Sequence, residues 1–257
     1  MMNWRIAGLI VVTGLLIWWL SAHAAIPQPL EYHNFADQRT LLGIPHFWNV
    51  ISNVPFAIIG GIGCWWLLRR GSDSEKFLDP RDRVAYLVFF GGEVLTAFGS
   101  AYYHASPSNE TLVWDRLVFS LLLTSIFAIV LTEFVAARLG HVTLAPLVVI
   151  GLLSVLQWRW SEVQGHGDLR LYLFVQFYPV LVIPMILLAF RSSYSHAKWF
   201  WLVLWMFVAA KIAEFYDRPI YQATTGFWSG HTVKHFVAAG ATYFLLDMVR
   251  RRHIARL

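Results

Sequence analysis

The sequence predicts an all-α membrane protein, a seven-transmembrane helix bundle with an additional N-terminal hydrophobic segment. Three observations carry this expectation. The 257 residues are 58% hydrophobic and only 14% charged, whereas soluble domains carry about 25% charged residues. Eight apolar stretches approach the roughly twenty residues that cross a bilayer as a helix. Most basic residues lie in short runs between those stretches, so the net charge of +5 belongs to loops, and no nucleic-acid partner is expected. The one cysteine, Cys64, excludes an intrachain disulfide framework and a multi-cysteine zinc site. It reads as a small buried hydrophobe.

The first stretch covers about 6–24. Its charged start, apolar run and Ala22-His23-Ala24 resemble a signal peptide, but the run is long for one, so residues 1–25 are expected to stay as a membrane anchor. Residues 26–46 form an extracytoplasmic loop. The seven-helix domain follows over 47–250, with spans near 47–68, 84–104, 112–136, 142–158, 170–190, 198–215 and 229–249. The fifth of the eight stretches is short, and Pro179 and Pro184 should bend the sixth. Residues 251–257 form a basic tail.

Lys and Arg set the orientation. Arg5, Arg69, Arg70, Lys76, Arg81, Arg83, Arg138, Arg191, Lys198, Arg250, Arg251, Arg252 and Arg256 fall on one side of an eight-span alternation. That is thirteen of the twenty basic residues, and they include every cluster. Both termini are therefore expected in the cytoplasm. The expected location is a bacterial inner membrane.

Polar residues can then be placed by depth. His231 and His235, four apart at the start of the last stretch, project from one helical face. Ser100 and His104 share a face where the third stretch ends, and Asp115 lies just inside the start of the fourth. All five reach the same leaflet, on the periplasmic side. Three neutral imidazoles (His104, His231, His235) suit Zn2+ and leave a fourth position for water. Bound zinc lowers the pKa of that water towards neutrality. Asp115 could take and return the proton, and Ser100 could orient the water or donate to a developing oxyanion. These parts suit hydrolysis of an amide or ester, and the lipid setting implies a lipid substrate. Imidazole also suits haem iron and copper.

Three blocks carry a family resemblance: FWNVISNVPF (47–56), GSAYYHASPSNETLVWDRL (99–117) and SGHTVKHFVAAGATYFLLDM (229–248). With the spacing of the spans, the chain resembles the alkaline ceramidase family over roughly 31–250. That family lies within a superfamily of seven-span hydrolases and receptors that includes the progestin and adipoQ receptors. The resemblance implies an intramembrane zinc on His104, His231 and His235, with Ser100 and Asp115 in catalytic positions. It implies hydrolysis of the N-acyl bond of ceramide-like lipids to a sphingoid base and a fatty acid. Residues 6–24 precede the shared bundle. Eukaryotic relatives bind calcium through an acidic run before the first shared span. Here His46 stands before the Phe-Trp-Asn, and Glu31 and Asp37 are the only acids in the loop. A hard cation wants six or more oxygen ligands, so no Ca2+ site is expected.

Two other readings stay open. One is an ester-cleaving phospholipid hydrolase. The other is a non-catalytic, receptor-like protein whose metal braces three helices. Among the remaining residues, Glu93 reads as a hydrogen-bonded buried carboxyl, or else as part of a cavity wall. Lys211 and Glu214 should pair on one helical face. Asp217 and Arg218 read as structural, Asn49 and Asn53 as interhelical hydrogen-bonders, and Tyr172 and Gln176 as one shared face. The oligomeric state is not legible.

Overall fold

The computed structural model describes residues 4–70 and 75–255. Arg256 of the basic tail lies outside them. The described chain is helical, without a strand. The helices are α1 (Trp4–Ala22), α2 (Phe47–Ile51), α3 (Val54–Arg70), α4 (Asp82–Ala105), α5 (Asn109–Val130), α6 (Ala137–Val163), α7 (Arg170–Ala189), α8 (Trp199–Phe215), α9 (Asp217–Ala223) and α10 (Gly230–Arg251). Six spans among the described residues are long and apolar enough to cross a membrane, counting α2 with α3 and α5 with the π turn after it. The count is seven if α8 and α9, bent by 78° at their junction, form one span. α10 fails that test. His231, Lys234 and His235 dilute its apolar run, so the residues that suggest a site also mask the span.

The helix ends have local causes. Ser108 caps α5 by accepting from Thr111 N at 3.2 Å, and Thr111 Oγ1 accepts from Ser108 N at 3.1 Å. This reciprocal box satisfies two otherwise orphaned donors. Ser229 caps α10 through Thr232 N at 3.0 Å. The break between α2 and α3 falls at Ser52 and Asn53, just ahead of Pro55. Proline forbids a donor inside a helix and restricts the residue before it. α6 runs 27 residues and is not short. Arg138, His141, Arg159 and Glu162 lie in its end turns and shorten only its apolar stretch. Pro179 and Pro184 sit inside one continuous α7.

α4 packs between α3 and α5, α5 packs on α6 and α7, and α10 packs on α8 and α3. α7 and α8 scarcely touch. α1 stands against α7 and buries no residue. Its ties are Thr13 Oγ1 to Tyr178 OH at 2.8 Å and Arg170 Nη1 to His23 O at 2.5 Å. Arg170 also grips Asp168, and these hydrogen bonds hold the Asp168 carboxyl below the ordinary carboxylate range.

At one end of the bundle a buried network closes the fold. Arg252 pairs with Glu133, Tyr86 OH donates to Glu133 at 2.7 Å, and the rings of Phe77 and Tyr194 flank the guanidinium at 4.3 and 4.1 Å. Arg252, read from sequence as part of a basic cytoplasmic tail, is instead fully buried in the bundle. The segment after it bonds to the α7–α8 loop through Ser195 N to His253 O and Ala255 N to Ser193 O, both 2.9 Å.

Candidate metal centre

The opposite end of the bundle gathers the histidines. Two glycines permit the approach. At Gly99 a Cβ would lie 2.8 Å from the backbone carbonyl oxygen of Trp114, so α4 and α5 meet backbone to backbone beside Ser100 and Asp115. At Gly230 a Cβ would lie 2.1 Å from Ala213 O, so only glycine lets the start of α10 seat against α8.

His104 from α4 and His231 and His235 from α10 are buried, with one ligand atom from each lying within 4.8 Å of the others. Their rings form a near-equilateral triangle, with centroid separations of 4.7, 5.0 and 5.0 Å. His104 Nε2 and His231 Nε2 are 3.2 Å apart. Tetrahedral zinc with Zn–N distances of about 2.0–2.1 Å needs ligand nitrogens about 3.3 Å apart, so this edge has the right length. His235 Nε2 is buried with no hydrogen-bond partner, while its Nδ1 meets Ser52 Oγ at 2.6 Å. A ring with one nitrogen held by the protein and the other free in the triangle is the arrangement of a metal ligand. The residues present fit one metal ion; the donor set does not by itself say which.

The support extends outward. Thr232 Oγ1 donates to Asn49 Oδ1 at 2.8 Å, tying α10 to α2 as expected for Asn49. Asn53 behaves otherwise: its amide donates within its own segment, to Asn49 O at 2.7 Å. Asp217 accepts from His231 N and from Ala36 N, both at 2.8 Å, pinning the start of α10 to the loop before α2. From that loop Phe35 lies edge-on to His104 and His231, at 4.8 and 4.5 Å, and covers the triangle. Asp37 in the same loop is engaged by Arg39, whose Nε and Nη2 donate at 2.8 and 2.6 Å.

Ser100 is buried on α4, and its hydroxyl is near enough to the Asp115 carboxyl to interact with it. Lys211 and Glu214 pair as the sequence predicted. Lys234 joins them, 3.3 Å from Glu214, and Tyr32 OH reaches the same carboxylate at 3.5 Å. Arg116 is sandwiched between Trp158 and Tyr172, 4.1 and 4.5 Å from the ring centres, and donates to Gln28 Oε1 at 2.5 Å. Its Nη1 has no partner. Tyr172 and Gln176 are both buried.

An apolar cavity of about 150 Å3 lies deeper in the bundle, its lining beginning about one turn from Ser100 and His235. α4 contributes Thr96 and Glu93, about one and two turns beyond Ser100, and α10 contributes Ala238, Ala241 and Thr242 beyond His235. Pro179 and Val180 of α7 and Val203, Leu204 and Phe207 of α8 line its far wall, where those two helices part. Glu93 is fully buried there, and neither carboxyl oxygen has a hydrogen-bond partner. Glu93 is therefore buried as expected and takes the cavity-wall reading, with the Thr242 hydroxyl near it but outside hydrogen-bond geometry. Its neighbour Thr242 donates instead to Ala239 O at 2.9 Å.

All five residues singled out from sequence are therefore at one end of the bundle. Ser52, Phe35, Asp217 and Lys234 were not singled out for this role. Only Lys234 carried a usable signal, an ammonium set inside an apolar span between two ligand positions. No family model matches the chain, and no curated protein matches it.

Proposed function

We propose that this chain is an integral membrane, zinc-dependent amidohydrolase that cleaves the N-acyl bond of ceramide-like lipids to a sphingoid base and a fatty acid, as its resemblance to alkaline ceramidases implies. In this reading seven helices form the catalytic bundle, α1 is an added anchor, and the histidine end faces the periplasmic leaflet of a bacterial inner membrane. The observation that carries the reading is a three-histidine cluster with a carboxyl and a hydroxyl beside it, and an apolar cavity about one turn further along the same helices α4 and α10. When bound, zinc supplies a Lewis acid and a water of lowered pKa. Asp115 accepts the proton of the attacking water and delivers it to the leaving amine. Ser100, one turn from His104, donates to the carbonyl oxygen as charge develops there. Phe35 and its loop exclude bulk water, and the cavity receives the acyl chain.

The test is metal analysis combined with a lipid panel. Purified protein should carry about one zinc per chain and release fatty acid from ceramide. Asp115→Asn should keep the zinc and lose turnover by about 10²–10⁴-fold, the usual worth of a general base. His231→Ala with full hydrolytic activity would sink the proposal. A second reading, ester cleavage of a phospholipid, is favoured by the cations near Asp115: Lys234 and Arg116 would suit a phosphate headgroup. O-acyl lipids in the same panel separate the two. A wild type that binds zinc but turns over no lipid in the panel supports a metal that only braces helices.

A further inference from the structure

The apolar cavity holds one feature that hydrolysis does not use. Glu93 is fully buried on its wall, and both carboxyl oxygens lack a partner. Two threonines share that wall. Thr96 Oγ1 donates to Gly92 O at 2.9 Å and Thr242 Oγ1 to Ala239 O at 2.9 Å. Each hydroxyl has thus spent its proton on its own helix and keeps acceptor capacity. Around them the wall is hydrocarbon and aromatic, including Phe56, Phe119 and Phe207. Only the Thr242 hydroxyl comes near the carboxyl, without meeting hydrogen-bond geometry, so most of the desolvation cost of a carboxyl in such surroundings stands uncompensated. A purely hydrocarbon ligand would leave that cost standing. A ligand bearing a hydroxyl would remove it.

We propose that Glu93, with Thr96 and Thr242, forms a polar subsite inside the acyl cavity that takes a hydroxyl group carried near the middle of a lipid's hydrocarbon chain. The position along the chain follows from helix geometry. Glu93 precedes Ser100 by seven residues and His104 by eleven, and Thr242 follows His235 by seven, or about 10–16 Å of helix. An extended chain advances about 1.2 Å per bond, as a peptide backbone does. The hydroxyl therefore lies roughly eight to thirteen bonds from the carbonyl held at the histidines. A chain hydroxylated next to its carbonyl cannot reach the subsite. The inference rests on the cavity being an acyl site, and it adds a preference among acyl chains.

The test is binding, so it does not depend on turnover. Octadecanoic acid, its mid-chain hydroxy derivative and its derivative hydroxylated beside the carboxyl compete for the full-length protein, with zinc and after chelation, and bound ligand is read by native mass spectrometry. The wild type should favour the mid-chain hydroxy acid by about tenfold, the worth of one hydrogen bond to a group otherwise left unpaired. Glu93→Gln should keep most of the preference. Glu93→Leu should abolish it while binding octadecanoic acid at least as well. Equal binding of the three acids by the wild type would overturn the proposal, as would a preference that survives in Glu93→Leu. If Glu93→Leu fails to fold, Thr242→Val stands in, with a reduced preference expected and an unchanged one counting against the subsite. A protein that shows this preference yet hydrolyses no lipid would refute the amidohydrolase reading and leave the subsite standing.

Discussion

His235 spends its Nδ1 on Ser52, at the break where α2 gives way to α3, and this contact sets the direction of the free nitrogen. A ring held by one hydrogen bond loses less freedom when it binds a metal, and such outer contacts are worth about 10–100-fold in affinity. Ser52→Ala should therefore weaken zinc binding by about that factor, measured by competition with a chelator of known affinity, while leaving helix content unchanged. An unaltered affinity would mean that packing against Phe56, 6.3 Å from the imidazole centre, orients the ring instead. The same residue marks how far the sequence could be read. Histidines four apart announce a shared face because helical periodicity is local. Ser52 lies 183 residues from His235, and nothing in a serine ahead of a Val-Pro pair signals which ring it will meet. Lys234 is intermediate: its cost in an apolar span was visible, but its partner Glu214 depended on how α8 packs against α10.

At the scale of elements, the approach of α10 to α8 is governed by Gly230. A methyl group there would collide with the backbone at Ala213 O and Asp217 Cα, the latter at 2.8 Å, and backbone cannot move aside as a flexible side chain does. Gly230→Ala should cost about 1–3 kcal/mol, in the range of overpacked cores, and should also lower zinc affinity, because the displaced turn carries His231. Thermal unfolding in detergent and zinc titration measure the two effects, and a lowered melting temperature with full zinc affinity would refute the coupling. The other end of the bundle depends on a charge pair. Replacing Glu133 by Gln leaves Arg252 buried with no counter-charge, and breaking such a pair costs about 3–5 kcal/mol. This variant should unfold at lower temperature while, on the zinc reading, the metal affinity of the distant histidines stays unchanged below the melting point. The spans themselves were largely legible, since apolar length is a property of the chain. Their ends were not: α6 is longer than its apolar stretch because polar residues extend it, and α8 turns sharply into α9 at Tyr216, where α10 and the loop before α2 converge on Asp217.

Over the whole molecule, the helices do not close into a complete ring. α7 is held by α5 and α6, and α8 by α10, but α7 and α8 scarcely touch, and Val180 of α7 faces the cavity opposite Leu204 and Phe207 of α8. A second depression continues along the same seam, lined by Phe177, Val208 and Ile212. No pattern in the sequence separates these two helices from any other antiparallel pair, because their apolar faces serve equally for packing and for lipid. On the hydrolase reading, this seam is the lateral entrance through which a long-chain lipid passes from the bilayer to the histidines without crossing water. Filling it should affect long substrates selectively. Val180→Trp and Leu204→Trp, separately, are expected to raise the KM for a long-chain ceramide by about tenfold, equivalent to ~1.4 kcal/mol, with zinc content and melting temperature unchanged. A short-chain ceramide soluble in detergent can enter from the aqueous end past the Phe35 loop, so its kcat and KM should stay near wild-type values. An equal loss on both substrates would instead mean that the tryptophan had disturbed the catalytic end. No loss on either would remove the seam as a route and leave the Phe35 loop as the way in.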